Sequence, residues 1–454
     1  MNSESPPQFL VIGGGPAGSA AATTAASQGR AVTVVEKDIV GGGAHLWDCI
    51  PSKTMSASAI RMDSIRHASR LGLKTEPSAV DMTGLSTRMA AITADINQGL
   101  VDLLDSQNVD LLSGTARLTG PHSALVKLKD GGETQLRFDH CLLSTGSAPR
   151  VPEWASVDGE RILTTRHAYD LPEVPDHMVV IGSGVTGVEF VHIFAALGSE
   201  VTLVVSRQQV LPYRDPEVAA TLEEDFIERG IQMVIGARAS SVERENGGVV
   251  VRCDDGRVVE GSHALLAIGS VPLTADLGLD DAGVTHEDGF ITVDEYQRTS
   301  VPHIYAAGDC TGQMPLSSVA AMQGRKIGRH ISGMTVTPLD YSKVSQAVFT
   351  QPEIASVGLE EVDAAAHGRK VRTTKVPFAA NARSVLQGST RGFVKVISDP
   401  ATGVVLGGTI VGHRASELIG IVALAVSANV NIRQLVETLM VHPSAAEAIT
   451  EAAE

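Results

Sequence analysis

The chain has 454 residues, 43% of them hydrophobic, which is too many for one hydrophobic core and favours two or three domains. Its formal net charge of -16 excludes nucleic acid as a partner, because an acidic surface repels phosphate backbones. Glycine is abundant, at 45 residues, and aromatic residues make up 4%, a composition typical of α/β folds with tight turns between strands and helices.

Membrane and secretion signals and the spacing of the cysteines narrow the class of protein further. No apolar run reaches the roughly 18 residues that a membrane helix needs. The polar segment Met1 to Gln8 lacks the basic start and apolar run of a secretory signal. No two of the four cysteines are closely spaced, so neither a metal site nor a disulfide framework is indicated. We therefore expect a cytoplasmic protein without membrane insertion.

The N-terminal region predicts a βαβ unit. Apolar Phe9 to Ile12 predicts a strand, a run of small residues to Ser27 predicts a helix that ends at Gly29, and Val32 to Val35 predicts a buried strand. The turn between the first strand and the helix carries the dinucleotide fingerprint G-x-G-x-x-G, at Gly13, Gly15 and Gly18.

Each feature of this unit has a physical role. Gly13 allows the tight turn, Gly15 lets the backbone approach a pyrophosphate, and Gly18 lets helix and strand pack closely. The helix N-terminus offers unpaired N–H groups to phosphates, and Glu36 can accept hydrogen bonds from both ribose hydroxyls of an adenosine. A lone fingerprint is also compatible with a simple Gly-rich turn, but the strands, helix and terminal acid favour dinucleotide binding.

The same layout recurs in the middle of the chain. Met178 to Ile181 predicts a strand, Val188 to Leu197 a helix ended by Gly198, and Val201 to Val205 a second strand. The second fingerprint consists of Gly182, Gly184 and Gly187. Two such units imply two nucleotide ligands, or one duplicated fold with a degenerate copy.

The second unit ends differently from the first. The position of Glu36 is taken by Val205, followed by Ser206 and Arg207. A carboxylate would repel a 2′-phosphate, whereas a hydroxyl and a guanidinium would accept one. The residues at the end of this second strand therefore favour NADPH over NADH, although Arg207 is also compatible with a solvated surface charge.

The remaining segments complete the secondary-structure prediction. Helical spacing covers Lys53 to Leu73 and Leu85 to Asp105, and short strands are predicted at Ala124 to Leu128, Thr134 to Phe138 and Leu142 to Ser144. Proline-rich linkers are predicted at Pro149 to Pro152 and Leu171 to Pro175. After about Pro338 an α+β region begins, with strands at Ala347 to Phe349, Arg391 to Ser398 and Val404 to Val411 and helices at Ala415 to Asn429 and Ile432 to Met440.

The segment from Gly41 to Lys53 carries a family resemblance. It resembles the active-site helix of the pyridine nucleotide–disulfide oxidoreductases, the dihydrolipoamide dehydrogenase and glutathione reductase group, whose pattern is G-G-x-C-x-x-x-x-C-x-P-S-K. Further matches occur in family order almost to the end of the chain, at Ser144 to Pro149, Ala267 to Gly269 with Pro272, Ile304 to Asp309, Val348 to Gly358, and His442-Pro443 with Glu447.

The resemblance implies an α/β architecture with two Rossmann-like domains, for FAD and NAD(P)H, and a C-terminal α+β dimerisation domain. The predicted division is 1–148 and 276–340 for the FAD domain, 149–275 for the NAD(P)H domain and 341–454 for the dimer interface. A homodimer and a small-molecule electron acceptor are the implied partners.

The resemblance also implies site residues. FAD would contact Asp309 through its ribityl chain, Gly114 and Ala116 through its adenine, and the Thr145-Gly146 turn, which would cover the cofactor. Two further residues are assigned to cofactor contacts, Ser317 and Gly269.

Two charged pairs carry implied catalytic roles. Lys53, paired with Glu189, would lie near flavin N5, where a cation stabilises reduced flavin. His442 would reach the partner's active site, with Glu447 orienting the imidazole and stabilising its protonated form. Taken without the resemblance, Lys53 is compatible with a solvated helix residue and His442-Pro443 with a turn.

One departure from the family pattern decides the predicted function. The first family cysteine is Ala44 here, and only Cys49 remains. A dithiol relay needs two thiols within bonding reach, so electrons are expected to pass from reduced flavin directly to an acceptor. The LpdA-type NAD(P)H:quinone reductases also lack the cysteine pair, and this chain resembles them at Leu211 to Tyr213, Gly261 to Leu265 and Ser317 to Gly324, although it keeps a His–Glu pair that they do not.

Two alternatives remain open at this point. Cys49 alone could cycle through a sulfenic acid, which would give a peroxidase or an oxidase. The lost cysteine could instead mark lost catalysis in an FAD-binding structural or regulatory protein. In the quinone reductase hypothesis, Cys49 would lie beside the flavin and either tune its potential as a thiolate or fill volume.

Overall fold

The computed structural model describes residues 8–454. The expectation of no secretory signal rests on the segment Met1 to Gln8. Of this segment, only Gln8 lies within the described residues. The strands, in chain order, are β1 Gln8–Ile12, β2 Ala31–Glu36, β3 Asp110–Gly120, β4 Ser123–Leu128, β5 Glu133–Arg137, β6 His140–Leu143, β7 Ser147–Pro149, β8 Ile162–Thr164, β9 His177–Ile181, β10 Glu200–Val205, β11 Gln232–Ile235, β12 Ala239–Glu245, β13 Gly248–Cys253, β14 Val258–Gly261, β15 His263–Leu266, β16 Ser270–Pro272, β17 His286–Glu287, β18 Phe290–Ile291, β19 Ile304–Ala306, β20 Gln346–Val348, β21 Glu353–Gly358, β22 Arg372–Pro377, β23 Phe393–Ser398 and β24 Val405–Gly412.

The α-helices over the same residues are α1 Pro16–Ala26, α2 Gly42–Leu46, α3 Cys49–Arg66, α4 Met82–Ser106, α5 Val185–Leu197, α6 Pro216–Glu228, α7 Leu279–Ala282, α8 Ser317–Ile331, α9 Glu361–Ala366, α10 Ala382–Gln387, α11 Ala415–Ser427, α12 Ile432–Val436 and α13 Glu447–Glu451. Short 3-10 helices lie at Ala68–Leu71, His167–Tyr169, Asp309–Thr311, Tyr341–Lys343 and Phe378–Ala380. Within the described part of the chain, none of the helices is both long enough and apolar enough to cross a membrane.

The chain divides into two compact units. The first comprises the described chain up to Ser52 with Ser86–Arg150 and Gly269–Leu339, and the second comprises Lys53–Leu85, Val151–Ile268 and Asp340–Glu454. The predicted four-part division into domains is a finer one, and it stays a prediction.

The first unit is built on a seven-stranded sheet in the order β19-β6-β1-β2-β3-β4-β5. The strands from β19 to β3 run parallel, and β4 and β5 add an antiparallel extension. Helices α1 and α8 pack together so closely that a Cβ at Gly324 would lie 2.1 Å from the Ala17 carbonyl oxygen. Only glycine allows this approach of two helix backbones, because it has no side chain.

The second unit contains three sheets, one parallel and two antiparallel. A parallel sheet in the order β11-β10-β9-β15-β8 carries the second βαβ layout, accompanied by a three-stranded antiparallel sheet, β12-β13-β14. The C-terminal part forms an antiparallel sheet, β20-β21-β24-β23-β22. Helix α11 covers it, burying Ile419, Val422 and Val426 in the core.

Among the sequence-based boundaries that differ from the structure are a helix start and a helix end. The active-site helix begins at Cys49, four residues before the predicted Lys53. The predicted helix from Ile432 to Met440 ends at Val436. Its apolar continuation is not packed into a core among residues 8–454, since Leu439 is 97% exposed. Packing of an apolar face supplies most of the stability of a short helix.

Candidate active site

The carboxyl edge of the parallel sheet in the first unit gathers most of the predicted FAD residues. Strands β2, β1, β6 and β19 are parallel neighbours, so the residues after their C-terminal ends share one edge. Ser144 joins two of these ends directly, donating from its Oγ to the Gly13 carbonyl oxygen at 2.8 Å.

The first fingerprint has the geometry that its glycines require. Gly13 has a φ of 102°, and a Cβ at Gly18 would lie 1.9 Å from the Gly13 carbonyl oxygen. A Cβ at Gly15 would face open space. Gly15 is also the N-cap of α1, where no side chain caps the helix. Its first N–H groups are therefore available to a phosphate.

Glu36 ends β2 as predicted and is almost fully buried. One carboxylate oxygen accepts the Gly14 N–H at 2.7 Å, and the other accepts the Asp38 N–H at 2.8 Å. Each oxygen keeps a second lone pair for a further donor. The side chain is thus oriented by the backbone and can still accept hydroxyl groups.

The turn after β6 offers an observation that favours a bound ligand. Thr145 has a buried Oγ1 without a hydrogen-bond partner among the described residues, whereas buried hydroxyls are ordinarily satisfied. Gly146, the next residue, has a φ of 72°. An orphaned hydroxyl in this turn, beside the fingerprint strands, fits the cofactor contact that the resemblance implies.

The other residues predicted to contact FAD lie in the same unit. Asp309 accepts a hydrogen bond from the Ser147 hydroxyl at 2.7 Å. Gly114 and Ala116 lie two residues apart on β3, next to β2 in the sheet. A Cβ at Gly114 would lie 2.3 Å from the Lys127 carbonyl oxygen, so this glycine is also required by strand packing.

Cys49 lies beside a hydroxyl group and has no sulfur partner among the residues that the structure describes. Its Sγ lies 3.1 Å from the Oγ of Ser317, the first residue of α8. None of the four cysteines forms a disulfide. Cys141 and Cys310 are fully buried, and burial raises the pKa of the Cys310 thiol to about 11. Neither of these two thiols is in a state suited to redox exchange.

The second fingerprint repeats the geometry of the first. Gly182 has a φ of 113°, and a Cβ at Gly187 would lie 1.8 Å from the Gly182 carbonyl oxygen. Gly184 is the N-cap of α5, again without a side-chain cap, and a Cβ there would face open space. The second helix N-terminus is therefore open to a phosphate in the same way.

The end of β10 lacks the buried carboxylate of the first unit. Val205 is fully buried, whereas Ser206 and Arg207 are exposed. Arg207 forms no ion pair within residues 8–454. Gly269 lies beyond β15, with a φ of 95°.

Lys53 and Glu189 form the ion pair that the resemblance implies. The Lys53 Nζ lies 2.6 Å from Glu189 Oε2, and the other carboxylate oxygen accepts the Phe349 N–H at 2.9 Å. The ammonium also lies over the Phe349 ring, 4.5 Å from its centroid. Because Glu189 is buried, this pair fixes the position of the lysine.

His442 and Glu447 also form a pair, but on the surface. The imidazole Nδ1 lies 2.7 Å from Glu447 Oε1, and the His442 side chain is 75% exposed. The Ser444 backbone N–H and His442 hold the pKa of Glu447 below its ordinary value. The orienting contact is therefore present within one chain, with the outer side of the imidazole open.

One acidic cluster in the second unit has the spacing of a metal site. Asp215, Glu217 and Glu361 bring their oxygens within 4.8 Å of one another. The buried ammonium of Lys395 occupies the centre and bonds all three carboxylates. Although burial lowers the pKa of Lys395, these hydrogen bonds outweigh it and hold the pKa above its ordinary value. The chain thus supplies its own cation.

Some residues of these sites were missed from the sequence. Ser147 lies inside a quoted motif and was a recognisable candidate, because a hydroxyl beside a family turn is a natural partner for Asp309. Ser183 and Leu211, whose backbones are joined by a hydrogen bond, carry no comparable signal.

Comparison with known proteins decides the family. The model described as "Pyridine nucleotide-disulphide oxidoreductase" matches residues 7–324, and its dimerisation domain matches residues 344–453. The chain belongs to the pyridine nucleotide-disulphide oxidoreductase family. The predicted fold class is confirmed, and the chain is accordingly an FAD-dependent oxidoreductase that uses NAD(P)H.

The members of the family that are similar to this chain include enzymes of two names, an NAD(P)H dehydrogenase (quinone) and a dihydrolipoyl dehydrogenase. NAD(P)H dehydrogenase (quinone) of Mycobacterium tuberculosis is 43% identical over 431 residues, which cover 93% of this chain and 87% of the relative. Dihydrolipoyl dehydrogenase of Chlorobaculum tepidum is 36% identical over 429 residues, covering 94% and 92%.

Solved structures of family members are similar over nearly the whole chain. LpdA from Mycobacterium tuberculosis has a TM-score of 0.94 at 42% identity, covering 98% of this chain and 99% of the other. The HOCl-induced flavoprotein disulfide reductase RclA from Escherichia coli has a TM-score of 0.89 at 25% identity, also covering 98% and 99%.

Proposed function

We propose that this chain oxidises NAD(P)H and passes the electrons from FAD directly to a small quinone, without a dithiol relay. Bound FAD would take two electrons as a hydride from the nicotinamide and release them to the acceptor. The overall reaction balances as NAD(P)H, quinone and one proton giving NAD(P)⁺ and hydroquinone.

The observation that carries the proposal is the pairing of Cys49. Its sulfur has the Ser317 hydroxyl at 3.1 Å, and the family's other cysteine position is Ala44. A disulfide needs two sulfurs about 2 Å apart, and none of Cys141, Cys253 and Cys310 is paired with Cys49. The name of the 43% identical relative, NAD(P)H dehydrogenase (quinone), supports the same acceptor class.

We assign FAD to the first unit through two groups of contacts. The open N-terminus of α1 would hold the pyrophosphate, with Gly13, Gly15 and Gly18 giving the backbone access. Sugar hydroxyls suit carboxylate acceptors, and we assign them to Glu36 and Asp309. The residues that would complete the site are Gly114, Ala116, Thr145, Gly146 and Ser317.

We assign the pyridine nucleotide to the second fingerprint. Gly182, Gly184 and Gly187 would receive its pyrophosphate at the N-terminus of α5. The exposed Ser206 and Arg207 suit a 2′-phosphate and favour NADPH over NADH. Gly269 completes this assignment.

Two ion pairs would act on the reacting groups. Lys53, held by Glu189, would place a positive charge where reduced flavin is negative. His442, oriented by Glu447, would supply the proton that the hydroquinone requires. The second role requires a homodimer, because we place His442 of one subunit at the acceptor site of the other. We propose that this dimer works in the cytoplasm.

The decisive experiment measures NADPH oxidation by the purified protein with menadione, lipoamide or hydrogen peroxide as acceptor. We expect rapid turnover with menadione and little with lipoamide. The proposal fails if NADPH bleaches the flavin quickly but no quinone speeds its reoxidation. Lipoamide turnover at rates ordinary for disulfide-reducing enzymes would also overturn it.

Variants at the two cysteine positions separate the alternatives. Cys49→Ser should keep quinone reduction, whereas a single-cysteine peroxidase would lose its activity with peroxide. Ala44→Cys is the matched control for the missing thiol, since it tests whether a second sulfur diverts electrons from the quinone. Absence of flavin bleaching with both NADPH and NADH would indicate a protein without redox catalysis.

A further inference from the structure

The loop after β10 contacts both the second glycine fingerprint and the C-terminal sheet. Residues 206–215 begin with the exposed Ser206 and Arg207 and end at Asp215, the N-cap of α6. Between them, the Leu211 N–H donates to the carbonyl oxygen of Ser183 at 2.9 Å. Ser183 lies inside the second fingerprint, so this loop contacts the glycine turn that we assign to the pyridine nucleotide.

Leu211 adopts a backbone conformation that requires support. Its φ is 47°, in the left-handed region that a bulky residue rarely adopts, and its side chain is buried. Such a conformation costs free energy and persists only where the surroundings hold it. The support comes from a hydrogen bond of the Val210 N–H to Glu223 of α6 at 2.8 Å, and from one within the loop, of the Arg214 N–H to the Leu211 carbonyl oxygen at 2.9 Å.

The loop's C-terminal end is held by the C-terminal sheet. Arg214 is largely buried and directs its guanidinium to three partners on or beside that sheet: Ser356 at 2.7 Å, Gln346 at 2.7 Å, and Glu360. A guanidinium presents several N–H donors in a fixed fork, which suits it to bonding several acceptors at once.

Asp215 adds a reciprocal connection. Its carboxylate accepts the N–H groups of Glu361 and Val362 at the start of α9, at 3.3 and 2.9 Å. Its own N–H donates to Glu360 at 3.2 Å, and its carboxylate pairs with the fully buried Lys395 of β23. The two residues that end the loop are therefore fixed by the part of the chain that matches the dimerisation domain.

We infer that Arg214 is a positioning residue for the pyridine nucleotide, through the loop at 206–215. The C-terminal sheet holds Arg214 and Asp215, these hold Leu211 in its left-handed conformation, and Leu211 holds the Ser183 carbonyl and the orientation of Ser206 and Arg207. The inference rests on the proposed assignment of NAD(P)H to the second fingerprint. It does not depend on the identity of the electron acceptor.

A matched ion pair provides the control. Arg391 joins the same C-terminal region to the far end of α6, through Asp225 at 3.0 Å and through Glu228. It connects the same parts of the chain as Arg214 but does not contact the loop. A purely structural role for both arginines predicts equal effects, whereas positioning of the loop predicts an effect of Arg214 alone.

The test measures the dissociation constant of NADP⁺ by calorimetry in Arg214→Gln, Arg214→Lys and Arg391→Gln. We expect NADP⁺ binding to weaken about 10-fold in Arg214→Gln, less in Arg214→Lys, and to stay within about twofold in Arg391→Gln. The KM for NADPH should rise in parallel, with little change in kcat at saturating NADPH. Flavin content and melting temperature report folding, and Arg214→Lys keeps the charge should Arg214→Gln fail to fold.

Equal weakening in Arg391→Gln, or unchanged binding in both Arg214 variants, would overturn the inference. Because NADP⁺ binding is measured without an acceptor, this result stands apart from the quinone test. A chain that reduces no quinone can still show the Arg214 effect. A quinone reductase in which NADP⁺ binds elsewhere would show no effect.

Discussion

The two glycine fingerprints have the same backbone but differ at the end of their second strand. In the first unit, β2 ends in the buried Glu36, whose oxygens accept two backbone N–H groups. In the second unit, β10 ends in the buried Val205, and exposed polar residues come next. In the proposed assignments, the shared glycines would set the approach of a pyrophosphate, while the residue at the strand end would set which ribose the site can accept.

The helices of the two fingerprints also differ. Helix α1 consists of small residues and carries no titratable side chain. Helix α5 contains the buried Glu189 and His192, and Glu189 forms the ion pair with Lys53. The first helix therefore contributes only a backbone platform, whereas the second also supplies charged groups.

The largest effect is expected from one added methyl group at the last glycine of each fingerprint. A Cβ at Gly18 or Gly187 would lie within 2 Å of a carbonyl oxygen, so the turn must move. Gly18→Ala should purify with little FAD, whereas Gly187→Ala should keep FAD and weaken NADPH binding about 100-fold. Flavin absorbance per chain and NADPH titration measure the two effects. Loss of flavin in both variants would contradict the separate assignments.

A second test addresses the carboxylate of Glu36 in the first unit. Glu36→Gln replaces one acceptor with an amide NH₂, which would face a backbone donor from Gly14 or Asp38. We expect FAD affinity to fall about 10-fold, since a hydrogen bond to a charged group is lost and a donor is left unpaired. Reconstitution of the apoprotein with FAD measures the change, with Val205→Gln as the control at the matching position. Equal affinities in both variants would be inconsistent with a role for Glu36 in holding FAD.

A third test makes the two strand ends alike. Val205→Glu introduces the carboxylate of the first unit into the second and should repel a 2′-phosphate. We expect the ratio of kcat/KM for NADPH to that for NADH to fall about 10-fold, with a similar fall in Arg207→Ala. Arg252→Ala, which removes an exposed arginine elsewhere in the second unit, is the control. If the ratio of kcat/KM for NADPH to that for NADH stays constant in both test variants, Arg207 is not part of the nucleotide site.

The fourth test concerns the buried His192 of helix α5 and the dependence of stability on pH. Burial, with the nearby Arg229, lowers the pKa of His192 to about 3, below its value of about 6.5 in an unfolded chain. The unfolded state therefore takes up a proton first as pH falls, and stability is lost between these two values. Between pH 6.5 and 5 we expect the native chain to lose about 2 kcal/mol more than His192→Gln does. Urea unfolding at the two pH values measures this. Parallel losses in the two proteins would show that His192 is not the cause.

The sequence was sufficient to predict the βαβ units because their signals are local. Apolar runs such as Phe9 to Ile12 and helix ends such as Gly198 lie where the structure has them. The Lys53–Glu189 pair, separated by 136 residues, came only from the family resemblance. No local pattern could have supplied it.

The rest depends on contacts between distant residues that no spacing reveals. Arg214 and Glu360 are 146 residues apart, and Cys49 and Ser317 are 268 apart. The overestimated helix after Ile432 has the same origin: its apolar residues were counted as core, yet Leu439 is exposed in this chain. Which face of an element is buried is decided by the fold, and periodicity alone cannot determine it.

Burial of the thiols has a practical consequence for experiments on the folded chain. Cys141 and Cys310 have no exposed surface, and Cys253 has almost none. An alkylating dye should therefore react in the native state with Cys49 alone, which makes the wild-type chain a single-site reporter without any cysteine removal. The fluorescence of such an adduct would report on events at the start of α3.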